Sequence, residues 1–317
     1  MQENFEELDT RVYFSLLRTD LSMISYELDK LKEPTLVSGV GGSAVVANFA
    51  SKVLAQKNNI ITRKIEPRDF TFINLSNYKN VLSCSYSGNN YGVDLAFKNN
   101  LNHYLLSAKE NNSQNIKNLT YDNSIPEHSF ISIAATLIPC SIFLNYYLDF
   151  KGEDGAIYIT DNLLNKYNYD FDVNCDAYEI FSGCDTSTAS IYLESTMIEA
   201  GIGIPIVHDK YSYCHGRSTL STAKNNIAIF YNTSSELDKL LLSEISAYYK
   251  EVIIIDFKPR FFNDKESLLE SIILDDYISL LKSMYLTKYI AEQLDKDLSG
   301  VDYNPIVRKI CKFKGDI

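Results

Sequence analysis

Ser85, Ser87, Gly88, Asn89 and Asn90 lie in one run, Ser85-Tyr86-Ser87-Gly88-Asn89-Asn90. It follows a mainly apolar segment, Asn80–Cys84, and precedes a helix-like segment, Tyr91 to Leu101. A strand that ends in hydroxyl residues and glycine just before a helix has the makings of an anion pocket. The first N–H groups of the helix have no partner within it and carry partial positive charge. Serine hydroxyls and asparagine amides add neutral donors, and Gly88 lets the backbone turn tightly against a ligand. A phosphate suits such a pocket better than a metal or a base edge. The competing reading is an ordinary polar strand-to-helix turn. A second turn of similar make-up, Gly39-Val40-Gly41-Gly42-Ser43, also joins a strand to a helix.

The elements that would position these turns follow from periodicity. Apolar residues at helical spacing over 3–31 predict one or two entry helices, stopped by Pro34. Strands are expected at 35–40, 60–65, 81–85 and 104–107, with a weak one near 119–121, and a helix from Ser129 closes this half. Residues 151–176, rich in Asp, Asn and Tyr, read as a connection. The pattern then restarts, with strands at 178–183, 204–207, 226–231 and 252–257 and helices at 186–200, 234–249 and 265–295. Strands separated by helices predict an α/β fold with parallel, doubly wound sheets. Ligands of such sheets bind at the carboxyl ends of the strands, where the winding reverses, and both Gly/Ser turns fall on that edge. The second half ends its corresponding strand in Asn232-Thr233-Ser234-Ser235, without glycine, so one phosphate pocket per chain is expected.

At 317 residues the chain has room for two domains with a core each. The net charge of −11 opposes a nucleic-acid partner, which demands a basic footprint, but leaves room for a small phosphorylated ligand. Six cysteines without a CxxC pair read as reduced core residues of a cytoplasmic protein. The acidic, polar first ten residues are not those of a signal peptide. The longest apolar stretch, Phe130 to Leu148, is interrupted by Ser132, Thr136, Pro139, Ser141 and Asn145 and reads as a buried helix, not a membrane span.

Strand-Gly-Ser-helix followed by strand-Ser-x-Ser-Gly-helix, in a duplicated αβα unit, resembles the tandem sugar isomerase (SIS) domain family. The likeness is to the isomerase half of glucosamine-6-phosphate synthase and to bifunctional phosphoglucose/phosphomannose isomerases. The resemblance implies two SIS domains, 1–155 and 156–317, each an αβα sandwich around a mostly five-stranded, flavodoxin-like parallel sheet. It implies that Ser85, Ser87, Gly88, Asn89 and Asn90 grip a sugar phosphate, with Gly42 and Ser43 beside them. Asn90 stands where the family has threonine.

The same resemblance implies a catalytic pair. The family carries a glutamate on the first helix of its second domain and a His-Gly loop after the next strand. Glu199 and His215-Gly216 stand 16 positions apart, the spacing of that pair. Aldose–ketose isomerisation needs a base to move a proton between C1 and C2 through an enediol, and a glutamate lifted in pKa by burial serves. A histidine assists ring opening; in relatives it comes from the neighbouring subunit, which implies a homodimer with shared sites. Glu194 is the rival base, and either glutamate is alternatively a surface residue. His215 is alternatively a structural loop residue. Arg217 pairs with a phosphate or with an acidic neighbour. In the C-terminal tail the family delivers a lysine to the pocket; Lys312 is the best match, with Arg308 and Lys309 as rivals. His103, His128 and His208 lack partners at ligand spacing, so no metal site is expected. Glu127 and Ser129 suit capping of the helix that follows.

The reading is therefore a cofactor-free, cytoplasmic phosphosugar isomerase for a hexose or aminohexose phosphate. The alternatives are an amino-sugar-phosphate deglycase or deaminase of the same fold, or a non-catalytic sugar-phosphate-binding protein. The latter has little support, since no DNA-binding or glutaminase domain is read ahead of the repeats.

Overall fold

The computed structural model describes residues 5, 7–113, 115–123, 125, 127, 131–164, 166–218, 225–256 and 268–299, with side chains in the last segment from 272 onward. Its contacts divide the chain into two units, one running to residue 165 and the other from Lys166 to Leu298.

In the first unit, helices α1 (Leu8–Arg18) and α2 (Leu21–Asp29) precede β1 (Thr35–Ser38), α3 (Gly42–Lys57), β2 (Thr62–Ile65), β3 (Asn80–Cys84), α4 (Tyr91–Phe97), β4 (Asn102–Ser107) and β5 (Ile116–Thr120). Helices α5 (Ala134–Leu148) and α6 (Asp154–Tyr158) follow. The five strands are all parallel, in the order β2-β1-β3-β4-β5. Winding reverses between β1 and β3, the switch point of a flavodoxin-type sheet. The register Ser38↔Ser83 sets the ends of those two strands side by side, so the turns that follow them share the carboxyl edge. β1 and β3 are buried along their full length, as strands covered on both faces must be. β5 is an edge strand of which only Leu119 is buried, which is why its apolar signal is weak.

α5 is apolar on every side and buried for most of its length, as expected of a core helix. It runs from Ala134; Ser129, where the sequence pattern begins it, lies outside the described residues. Part of the presumed connection is α6, which continues into a turn over Ile159–Leu163, with Ala156 and Ile159 fully buried.

The second unit contains β6 (Tyr178–Ser182), α7 (Ser187–Ala200), β7 (Pro205–Asp209), α8 (Lys210–Cys214), β8 (Ile227–Asn232), α9 (Glu236–Ile245), β9 (Glu251–Asp256) and α10 (Leu268–Gln293). Its parallel strands run β7-β6-β8-β9, the same winding as the first unit. Among the described residues this sheet has four strands rather than the expected five.

Its core holds a charged group. Glu179, fully buried on β6, accepts from Asn226 Nδ2 at 2.7 Å and from Tyr249 OH at 2.6 Å, and meets His208 Nε2 at 3.0 Å. Burial pushes its carboxyl up, but these three partners more than offset that and hold it below the usual carboxylate range. A lowered pKa stabilises the fold above the ordinary glutamate value of about 4.3, and that contribution is lost as pH falls through the folded value. Thermal unfolding of Glu179→Gln is expected to show a weaker acid dependence below about pH 4 than the parent chain; parallel acid limbs in the two would refute this.

Of the described cysteines, Cys84 and Cys140 are buried, as expected of core residues, but Cys184 and Cys214 are exposed and Cys175 is half-buried; none of these five forms a disulfide. Among the described residues no helix is long and apolar enough to cross a membrane, and no three His, Cys, Asp or Glu side chains gather around a common point.

Candidate functional site

At the carboxyl edge of the first sheet, the turn after β3 is held in shape from within. Gly88 has φ +63°, in the left-handed region, and a Cβ there would lie 2.8 Å from the Lys109 carbonyl oxygen, so the position requires glycine. Gly88 N–H donates to the Ser85 carbonyl and to Ser85 Oγ at 3.3 and 3.2 Å. Asn90 caps α4: its Oδ1 accepts from Val93 N–H at 3.0 Å, while Nδ2 donates to Ser85 Oγ at 2.8 Å. Asn111 Nδ2 donates to the Gly88 carbonyl at 2.8 Å and braces the turn from outside.

This wiring changes the part Ser85 plays. It is 3% exposed and its Oγ already accepts two hydrogen bonds, so it shapes the turn and has only its own proton left to offer. Asn90 fills the threonine position as a cap. Ser87 and Asn89, by contrast, are exposed, and neither their side chains nor their backbone N–H groups have a partner among the described residues. They are the free donors. Ser85→Ala is therefore expected to lower stability by about 1 kcal/mol, because it takes the acceptor from the half-buried Asn90 amide, while Gly88 N–H keeps the Ser85 carbonyl. Ser87→Ala should leave stability unchanged and weaken phosphosugar binding by about 1–3 kcal/mol. Calorimetric titration and urea unfolding of both variants separate these effects. Equal behaviour of the two would contradict the division of labour.

The first turn joins this site. Gly41 (φ +59°) precedes α3, and a Cβ on Gly42 would fall 2.9 Å from Thr136 Oγ1, so glycine permits the close approach of α3 to α5. Ser43 and Ser85 line one small cavity of about 10 Å³ with Tyr86, Tyr121 and Pro139, room for about one water. Beside it a cavity of similar size is lined by Gly39, Ser83 and Asn90, and Ser83 Oγ there is buried without a partner. Gly42, Ser43, Ser85, Gly88 and Asn90 are thus brought together at the switch point. Glu127 caps α5 as expected, its carboxylate accepting from the N–H groups of Ile133, Ala134 and Ala135 at 2.9–3.2 Å. A cavity of about 600 Å³ opens at the opposite edge, by the start of β4 and β5 beside His103 and Lys117. That is the wrong end of the strands for a ligand of this sheet type.

In the second unit Glu199 lies one residue from the end of α7, half-buried, with Ser195 Oγ donating to its Oε1 at 2.9 Å. Burial raises its pKa and the Ser195 hydrogen bond partly opposes the rise. Its rival Glu194 is exposed. His215 is the exposed C-cap of α8, its ring 5.5 Å from that of Tyr211. The topology holds the pair apart within one chain. α7 runs back from the carboxyl edge, so Glu199 sits near the start of β7, whereas His215 follows its end. β7 has five residues, which corresponds to about 16 Å. Arg217 Nη1 donates to the Val207 carbonyl at 3.3 Å instead of pairing with an acid. Lys312, Arg308 and Lys309 lie outside the described residues.

The turn after β8 is filled from within the chain. The Asp238 carboxylate, on the first turn of α9, accepts from Thr233 N–H at 2.6 Å, from Thr233 Oγ1 at 2.7 Å and from Lys210 Nζ at 2.8 and 2.9 Å. A carboxylate of the chain itself takes the donors that an incoming anion would use. Sequence reasoning missed this pair, Asn111 and Glu179; none of them carries a local motif.

No family model matches the sequence, and no curated protein matches it either. Solved structures do. A provisional phosphosugar isomerase of Clostridium difficile 630 aligns with a TM-score of 0.71 at 13% identity, over 98% of this chain and 97% of that one. The C-terminal domain of glucosamine-fructose-6-phosphate aminotransferase from Francisella tularensis gives 0.67 at 14%, over 94% and 96%. The chain shares their fold. So does glucosamine-6-phosphate deaminase of Thermotoga maritima, at 0.64 and 16% identity, over 92% and 96%.

Proposed function

We propose that the protein is a cytoplasmic phosphosugar aldose–ketose isomerase built of two SIS-type domains. The first carries the phosphate turn and the second the glutamate and histidine. The observation that supports this most is the pre-shaped turn Ser85–Asn90, with its unpaired donors at Ser87 and Asn89, at the switch point of a fold shared with phosphosugar enzymes. In this reading the donors of Ser87, Asn89 and the start of α4 hold the phosphate and fix the sugar carbons in place. Glu199, raised in pKa by burial, carries the proton between C1 and C2 through an enediol and needs no cofactor. His215 assists ring opening.

Incubation of the full chain with a panel of hexose and aminohexose phosphates, followed by NMR, tests the reading. Interconversion of an aldose and a ketose phosphate is the expected result, and binding without turnover of any member would overturn it in favour of a binding protein. The likeness to glucosamine-6-phosphate deaminase supports a second reading, deamination through the same enediol chemistry. Ammonia release from an aminohexose phosphate would select it.

The separation of Glu199 and His215 within one chain supports sites shared across a homodimer. A Glu199→Gln chain mixed with a His215→Ala chain is expected to regain activity, because one of the two pockets of the heterodimer then has both residues intact. Proven subunit exchange with no recovery would eliminate the shared site.

A further inference from the structure

Glu199 is held by a residue that the resemblance does not supply. Ser195 stands one helical turn earlier on α7, on the same face, and its Oγ donates to Glu199 Oε1 at 2.9 Å. Oε2 has no partner among the described residues. Both side chains are half-buried.

We propose that Ser195 is a positioning residue for the base: its hydroxyl pins Oε1 and leaves Oε2 as the oxygen that exchanges a proton with substrate. The proposal rests on the reading of Glu199 as that base. A carboxylate on two flexible bonds at the end of a helix samples several rotamers, and proton transfer demands hydrogen-bond reach to one carbon-bound proton. One anchored oxygen removes most of that freedom. The bond also favours the ionised form that accepts the proton. Among the described residues, burial and the Ser195 hydrogen bond are what shift this carboxyl. The charged groups on the elements packed against α7 are Asp185 on the 184–186 turn, Glu179 on β6, His208 and Asp209 on β7, and Asp275, Asp276, Lys282, Lys288 and Glu292 on α10; none of them is among the causes that shift Glu199.

The test is a titration of Glu199 in the full chain labelled with δ-13C-glutamate, with Glu199→Gln assigning the signal. The parent carboxyl is expected to titrate above the ordinary glutamate range. Ser195→Ala should move it further up, and Ser195→Thr, which keeps a hydroxyl, should restore it. On whichever sugar phosphate turns over, Ser195→Ala then loses about tenfold in kcat/KM on the pH plateau, where the base is already ionised and only its positioning has changed, and more below the acid limb; Ser195→Thr recovers both. A base with a higher pKa stays protonated over a wider acid range, which fixes the sign. A Ser195→Ala chain that keeps the parent kcat/KM on the plateau, or whose Glu199 carboxyl titrates with the parent, overturns the proposal. Full turnover by Glu199→Gln refutes the base itself, and leaves the titration result standing as a separate outcome.

Discussion

Glu199→Gln is expected to lose roughly 10²–10⁴-fold in kcat, the usual share of a positioned general base, while phosphosugar affinity stays within about twofold. The two halves of that outcome come from different elements. In the proposed mechanism affinity comes from the turn after β3, whose donors do not involve Glu199. In the proposed mechanism turnover rests on one carboxyl at the end of α7, half-buried so that its proton affinity is raised toward that of a usable base. Glutamine keeps the size and can still accept from Ser195, so the helix end should not rearrange. Rapid-quench kinetics and isothermal titration on the same preparation separate the effects. A loss of binding without loss of kcat would mean that Glu199 holds substrate instead of moving its proton.

The sheet winding, the two Gly/Ser turns and their place at one edge were legible in the sequence, because buried parallel strands and glycine turns leave local marks. Gly88 is the clearest case: its left-handed φ and the Lys109 carbonyl 2.8 Å from a built Cβ make it irreplaceable, and the Ser-x-Ser-Gly run announces it. β5 was faint because only Leu119 faces the core. The role of Ser85 was not legible. Its type suggests a ligand donor, and only the three-dimensional turn shows Gly88 and Asn90 already using its oxygen. Nor does any spacing rule reveal that Lys210 and Asp238, 28 residues apart, meet in the interior. Charged residues at the start of short helices read as surface groups until neighbouring strands enclose them. The topology supplies a further point: Glu199 and His215, 16 positions apart as the resemblance implies for its pair, lie at opposite edges of one sheet. Sequence distance here measures a path around a strand, not proximity.

Asp238→Ala is expected to lower stability by roughly 3–5 kcal/mol, the cost of leaving one partner of a buried ion pair alone. Lys210 is 5% exposed and Asp238 1%. The ammonium also donates to the Tyr231 carbonyl at 2.5 Å and lies 4.8 Å from the centroid of the Phe230 ring. These neutral contacts cannot replace a counter-charge, and the low polarity around Phe230 makes an uncompensated cation costly. Thr233 loses the acceptor of both its N–H and its hydroxyl in the same substitution. Removing both charges with similar volume, Lys210→Met with Asp238→Leu, should cost much less, because no ion is then stranded. Urea unfolding of the single and double variants gives the comparison. Because Lys210 opens α8, the helix that His215 terminates, the single variant should also raise hydrogen exchange through 210–216. A single variant as stable as the parent would show that water reaches Lys210 and that the carboxylate is not needed to hold that turn.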